Sequence, residues 1–328
     1  MPIAEKPPYT AQLTMENDMN TQTKNPIPNP SKLVNSYTKA AQSASTGRSY
    51  AQDVQHFKAN GGKVPATPQM VAEYLAKFGG VLAVSTLSHR LIAIHRAHTD
   101  KGLESPVNNR LVKRTMQGIR RTFGVAQKRA RALVKDDLLE LLVMVAKQKP
   151  LKAARDKALL LLGFAGAFRR SELVALRMED ITPHAHGIEL LIRRSKTDQE
   201  GEGRMVFVPL ATSEERCPVK ALDRWLELAG IGEGPLFRQI NRHDRVVTDQ
   251  ALTPQSVALI VKSAVGKSKG VDAAKLVSGH SLRAGFVTEA AMVGMQTSAI
   301  MGQTGHKSLE MVYRYVRPVQ KRQIQSLL

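Results

Sequence analysis

Gly187-Ile188-Glu189-Leu190-Leu191-Ile192-Arg193-Arg194-Ser195-Lys196-Thr197 and Gly203-Arg204-Met205-Val206-Phe207-Val208-Pro209-Leu210 are β-like runs. Between them lies the Gly- and Glu-rich stretch Asp198-Gln199-Glu200-Gly201-Glu202. Together they read as a hairpin with a longer loop. The segments on either side read as helix. Upstream, Asp136-Asp137 place negative charge at the N-terminal end of a helix dipole, and Ala158 to Phe164 is an apolar run. Downstream, the remainder of the chain reads as helical again. Residues 136–328 are therefore expected to form a mixed α+β domain with a small antiparallel sheet.

Further towards the N-terminus the chain changes character. Residues 125–135 are basic and mixed and read as a linker. Residues 31–124 read as an all-helical domain of roughly four helices. Thr67-Pro68 resembles an N-cap followed by proline at the first helical position. Behind it Val71, Tyr74, Leu75 and Phe78 form an apolar stripe, which Gly79-Gly80 ends. Leu87, Leu91 and Ile94 mark the next helix, which stops near Gly102. Residues 1–30 are rich in Pro, Asn, Thr and Gln and are expected to be a disordered tail.

One helix of this half carries a charge signal. Val112, Met116, Ile119 and Phe123 fall on one side, and Arg110, Lys113, Arg114, Gln117 and Arg121 on the other. No acid occurs between Ser105 and Lys135. A solvated surface helix usually mixes signs to gain i,i+4 pairs. An acid-free face gains none, so this one is expected to track phosphates.

Composition points the same way. The chain has 328 residues, enough for two domains with real cores. Lys and Arg number 48 against 28 Asp and Glu, a formal charge of +20, which favours a polyanionic partner. Cys217 is the single cysteine, so no disulfide within the chain and no cysteine-based zinc site is possible. No window approaches the roughly 18 apolar residues of a membrane span, and the N-terminus lacks a secretory layout. The expected setting is cytoplasmic and nucleoid-associated.

The chemistry is concentrated in the second half. Five motifs follow one another: Ala167-Phe168-Arg169-Arg170-Ser171-Glu172-Leu173, Ser195-Lys196-Thr197, Gly279-His280-Ser281-Leu282-Arg283, Gly305-His306 and Tyr315. They offer guanidinium forks, an ammonium, imidazoles and a phenol. Such a set can hold a phosphodiester, attack its phosphorus and protonate the leaving oxygen without a metal. Arg suits the non-bridging oxygens because its planar donors grip two at once. A phenol has a pKa of about 10, so it needs cationic neighbours and a base to act as nucleophile. On a helix His280 and Arg283 would reach one face. Arg170 competes with Arg169, and Tyr313 with Tyr315; the two tyrosines, two residues apart on a helix, face nearly opposite ways, so only one can enter the site. His184 and His186 have the spacing of half a metal site, but no third ligand is evident.

On these motifs the chain resembles the tyrosine recombinases, or phage integrases, in their simple Cre-like form. The resemblance spans about residues 31–328 and is strong in the C-terminal domain. Its register selects Arg169, three residues before Glu172, and Tyr315, nine residues after His306. It implies a helical core-binding domain of SAM-like type ahead of the catalytic domain. It also implies that Arg169, Arg283 and His306 hold the scissile phosphate. His280 bonds it or takes the tyrosine proton, Lys196 protonates the leaving 5′ oxygen, and Glu172 orients its neighbours. Tyr315 would form a 3′-phosphotyrosine link. Four protomers would join two DNA duplexes, two active at a time, with Ile324, Leu327 and Leu328 docking on a neighbour. No cofactor, metal, ATP or small-molecule ligand is expected, and no Walker loop is seen. The alternatives are a type IB topoisomerase, a non-catalytic DNA-binding regulator and a metal-dependent nuclease, the last needing a carboxylate cluster that the sequence lacks.

Overall fold

The computed structural model describes residues 30–126, 130–196, 198 and 200–322. The reading of residues 1–30 as a tail falls outside them except at Pro30, which opens a helix, and that of Ile324, Leu327 and Leu328 as a docking segment falls outside them altogether. The described chain divides into two compact units, the first ending before residue 129 and the second running from there.

The first unit contains α1 (Pro30–Ala40), α2 (Ala44–Ala59), α3 (Pro68–Phe78), α4 (Val84–Thr99) and α5 (Arg110–Phe123). One more helix is present than the apolar pattern suggests. Helix α1 buries none of its described side chains, with Val34 and Tyr37 exposed, so no stripe marks it. Thr67 caps α3 by accepting from Met70 N at 3.2 Å, and Pro68 follows it at the first helical position. Phe57, Val71, Leu75, Leu87, Ile94, Val112 and Met116 form the core. His98 is wholly buried there, with Nδ1 on the Ile94 carbonyl at 2.7 Å and Nε2 accepting from Ala66 N at 2.9 Å.

Helix α5 divides as its sequence predicts, with one correction. Val112, Met116 and Ile119 are buried, but Phe123 is 56% exposed. It is the helix's last residue, with Gly124 capping directly behind it. Arg110, Lys113, Arg114 and Arg121 are all exposed. Among the described residues no carboxylate pairs with any of them. Arg120 joins the exposed positions and reaches Ser88 Oγ at 3.3 Å.

The second unit opens with α6 (Lys135–Ala146), α7 (Pro150–Ala165) and α8 (Arg170–Ala175). Ala158 to Leu162 are all buried, so α7 is surrounded, as an apolar run without a polar face requires. Strands β1 (Ile181–His184), β2 (Gly187–Ile192) and β3 (Arg204–Pro209) form an antiparallel sheet in that order. Ile192 faces Arg204 at the end of the expected hairpin. Then come α9 (Pro218–Ala229), a second antiparallel pair β4 (Arg238–Ile240) and β5 (Val246–Ala251), α10 (Pro254–Lys269) and α11 (Val271–Lys275). Helices α12 (Ser281–Met292), α13 (Thr297–Thr304) and α14 (Leu309–Arg322) complete it. Strands β1, β4 and β5 go beyond the sequence reading. Strand β1 is exposed along most of its length and β4 has three residues, too few for a periodic signal.

The segment read as the end of a linker is bound into this unit. Arg131 N donates to Leu276 O at 2.7 Å, and Leu133 N to Ser281 O at 3.0 Å. Leu133 is buried in the core. Asp137 secures the strap. Its Oδ1 accepts from Arg131 Nη2 at 2.8 Å and Lys269 Nζ at 2.5 Å, and its Oδ2 from Val134 N at 3.3 Å. The Asp137 and Glu140 carboxylates hold the Lys269 pKa above its ordinary value. So Asp137 lies in the first turn of α6 with a tertiary role as well as a dipole one.

Gly285, inside α12, is where the strap crosses. A Cβ there would sit 1.7 Å from Leu133 O. Alanine normally favours a helix over glycine by about 1 kcal/mol. Here the overlap must displace backbone, so Gly285→Ala is expected to destabilise the second unit by about 3 kcal/mol. Thermal unfolding followed by circular dichroism would show the loss; an unchanged or raised midpoint would mean that the strap is not held at this crossing.

Candidate active site

Arg169 stands directly ahead of α8 and is fixed by the residue three places on. Its backbone N donates to Glu172 Oε2 at 2.9 Å, and its Nη1 to Glu172 Oε1 at 2.5 Å. The Glu172 carboxylate is fully buried, which makes this charge-assisted pair a fixed anchor rather than a surface contact. Arg170, the competing arginine, makes no bond to Glu172 among the described residues. Its stem lies over Gly279, where a Cβ would come within 2.1 Å of Arg170 Cδ.

Arg283 projects from the first turn of α12 and is 1% exposed. Its Nη1 donates to Ala167 O at 2.8 Å. Ala167 presents that carbonyl from a left-handed conformation, φ +49°, which strains a non-glycine residue. Arg283 Nε and Nη2 are buried with no acceptor among the described residues. Burial, and then the charge of Arg169, pull the Arg283 pKa down from its ordinary value to about 10.

His280 and Tyr315 meet across the site. His280 Nε2 and Tyr315 Oη are 3.1 Å apart. His280 is not inside a helix with Arg283; it is the N-cap residue of α12. Desolvation, and then the charges of Arg283, Arg169 and Arg170, lower its pKa, so its neutral form dominates near pH 7. A neutral Nε2 at this distance can accept the phenol proton. Tyr315 rides on α14, whose Val312 is buried against Val287, Ala290 and Ile300. Tyr313 packs against the same cluster, and Tyr315 is the one that reaches His280.

His306 follows Gly305, which caps α13 at φ +65°. It is 6% exposed, and its pKa falls to about 3 through desolvation and the charges of Arg283 and Arg169. Its Nδ1 is 2.8 Å from Thr304 Oγ1, and that hydroxyl donates to Ile300 O at 2.7 Å. The Thr304 hydroxyl thus ties the His306 ring to the last turn of α13 through Nδ1.

Lys196 is the outlying member. It is exposed on the β2–β3 loop, and no hydrogen bond among the described residues ties its side chain to the other five. Asp198 shapes that loop, its carboxylate accepting from Gly201, Glu202 and Gly203 N at 2.9 to 3.1 Å. Those bonds lower its pKa, and Lys307, next to His306, adds to the effect. The loop therefore lies beside the His306 corner. The structure thus brings Arg169, Glu172, His280, Arg283, His306 and Tyr315 into one electrostatically coupled group and sets Lys196 on the loop at its edge.

Two participants escape the sequence reading. Gln303 Nε2 donates to Ala165 O at 2.9 Å and Phe207 O at 3.0 Å, joining α7, β3 and α13. Arg204, at the head of β3, adds a third guanidinium beside Glu172. The resulting group is strongly cationic around a single carboxylate, and a phosphate is its natural complement.

The chain matches known proteins over this region. A profile of the phage integrase family covers residues 131–322. An integrase/recombinase XerD homologue of Selenomonas ruminantium is 41% identical over 256 residues, covering 77% of this chain and 74% of its own length. The recombinase Cre of Escherichia phage P1 is 25% identical over 269 residues, covering 77% of this chain and 76% of its own. Among solved structures, a lambda integrase dimer bound to a COC′ core site aligns over 91% of this chain and 80% of its own, with TM-score 0.58 and 16% identity. The Tn1549 transposon integrase with transposon right end DNA covers 89% of this chain and 97% of its own, with TM-score 0.59 and 14% identity. These last two likenesses concern the fold.

Proposed function

Because the chain belongs to the phage integrase family and is a tyrosine site-specific recombinase, we propose that Tyr315 cuts one strand of double-stranded DNA and holds it as a 3′-phosphotyrosine. The observation that carries this reading is the 3.1 Å approach of Tyr315 Oη to neutral His280 beside the buried Arg283. The phenolic oxygen attacks phosphorus and its proton passes to His280 Nε2. The bond from phosphorus to the 5′ oxygen breaks, and Lys196, carried by the hairpin loop, supplies the proton to that oxygen. Arg169 and Arg283 stabilise the negative charge that builds on the non-bridging oxygens. His306 faces the same charge. Its Nε2 donates there when that nitrogen carries a proton, a form that a phosphate beside it favours.

A 5′ hydroxyl from a second duplex then attacks the phosphotyrosine, and Tyr315 is released. One phosphodiester replaces another, so no external energy source is needed. One tyrosine serves one strand, so two duplexes call for a tetramer. The test uses duplexes nicked near the cleavage point, incubated in EDTA and run on a denaturing gel. A covalent protein–DNA band followed by strand exchange between two duplexes supports recombination. A band with relaxation of supercoils but no exchange would indicate a topoisomerase. No band would leave a DNA-binding regulator or, if strands are cut without attachment once magnesium replaces the EDTA, a metal-dependent nuclease.

We further propose that residues 31–124 act as a core-type DNA-binding domain, with the α5 face of Arg110, Lys113, Arg114 and Arg121 against the phosphate backbone. Arg114→Ala and Arg121→Ala should each weaken binding evenly across sequences and flatten the salt dependence by about one unit of slope. Binding measured across a salt series decides it, and an unaltered slope would place α5 away from DNA.

A further inference from the structure

Arg204 is the residue through which three parts of the site touch. Its Nη2 donates to Glu172 Oε2 at 3.3 Å, beside the bond that Arg169 N makes to the same oxygen. Its Nη1 donates to Gln303 O at 3.0 Å, three residues before His306. Its Nε is buried with no partner among the described residues. Gly305 makes room for it: a Cβ there would lie 2.8 Å from Arg204 Nε. Its backbone leaves the loop that carries Lys196, directly after Gly203, whose N is bound by Asp198.

Burial lowers the Arg204 pKa by more than the Glu172 carboxylate raises it, and the charge of Arg169 adds to the lowering. One N–H of each outer nitrogen is on a protein acceptor, so Glu172 and Gln303 set the plane of the guanidinium. Arg204 is thereby placed to fix the groups on either side of it.

We propose that Arg204 is a positioning residue, whose guanidinium fork locks the Glu172–Arg169 pair to the Gln303–His306 corner and anchors the base of the Lys196 loop. This rests on the reading of the site as a phosphotransfer centre. The fork is needed because one ammonium cannot span both acceptors. A loosened constellation loses rate far more than binding.

The test compares Arg204→Met and Arg204→Lys with the wild type. Both variants should bind duplex DNA within about twofold of wild type, yet form the covalent complex about 100-fold more slowly. Two readouts on the DNA-free protein accompany this. In Arg204→Met, hydrogen exchange of the Arg169 amide should accelerate, because its Glu172 acceptor is no longer held. The His306 pKa, followed by NMR, should rise, because Arg204 is one of the cations that depress it. Arg204→Lys should leave the His306 pKa low and still fail to restore the rate. Covalent complex within about twofold of wild type in Arg204→Met would overturn the proposal. So would an unchanged Arg169 exchange rate, or full rescue by Lys. Absence of any covalent complex in the wild type would instead count against Tyr315 chemistry, and the exchange and titration results would still decide the positioning role.

Discussion

Tyr315→Phe is expected to abolish the covalent protein–DNA complex while leaving duplex binding unchanged. The substitution removes one oxygen and keeps the ring, which contributes to the packing around Val312, Val287, Ala290 and Ile300. The fold loses at most the contact to His280, worth about 1 kcal/mol in a site open to water. On the role proposed for Tyr315 catalysis loses its nucleophile, and knocking out a nucleophile costs on the order of 10⁴-fold or more. Denaturing gels with nicked duplexes read the adduct, and gel-shift titration reads binding. Tyr313→Phe is the control. Tyr313 packs on the same cluster, so that variant should keep forming the adduct. Adduct from Tyr315→Phe, or its loss in Tyr313→Phe, would reverse the assignment.

Arg283→Met is expected to lower the rate of covalent complex formation by about 10³-fold, the scale for removing a donor from a developing oxyanion. Its effect on stability should run the opposite way. The Arg283 pKa of about 10, well below the ordinary guanidinium value, corresponds to about 3 kcal/mol of opposition to the charged form within the folded chain. Methionine removes that burden, and strands only the Ala167 carbonyl, a cost of about 1–3 kcal/mol. The unfolding midpoint should therefore hold or rise as activity falls. Chemical denaturation and the covalent-complex assay on the same preparation separate the two effects. A large drop in stability would show that Arg283 is chiefly structural. Near-normal activity would remove it from the phosphate site.

The opposed signs of those two effects describe how the site is built. Arg169, Arg204 and Arg283 crowd around Glu172, and His306 remains neutral among them. Such an arrangement is unfavourable for the folded chain alone. An anion between the guanidiniums turns the mutual repulsion into attraction, so binding and transition-state stabilisation draw on the same source.

Much of this could be read from the chain. Arg169 and Glu172 pair because three residues bring a capping carboxylate back to the start of its own helix, a local relation. The hairpin holding Lys196 is marked by a Gly- and Glu-rich turn between β-like runs. The α5 face is marked by the absence of acids. Other features left no local trace. Arg204 is one arginine among many on a strand, and only the approach of α8 and α13 gives it partners. Asp137 looks like a helix-start acid, whereas its partners include Lys269 on α10. The strap of Arg131 and Leu133 looks like a polar connection until α12 and its Gly285 are set beside it. Strand β4 pairs with β5 over too few residues for any period to show.

The amino-acid sequence by itself determined the family of this protein, its mainly helical architecture with a small sheet, and the side chains from which its chemistry is drawn. Those follow from residue types at fixed spacings, and local geometry carries spacing faithfully. Tertiary structure alone decided that Arg204 joins the group, that Gln303 ties α7, β3 and α13 together, and that the Leu133 strap crosses α12 at Gly285. Each of these depends on atoms far apart in the chain. Such choices are made only when the core has brought the elements together and excluded water from between them.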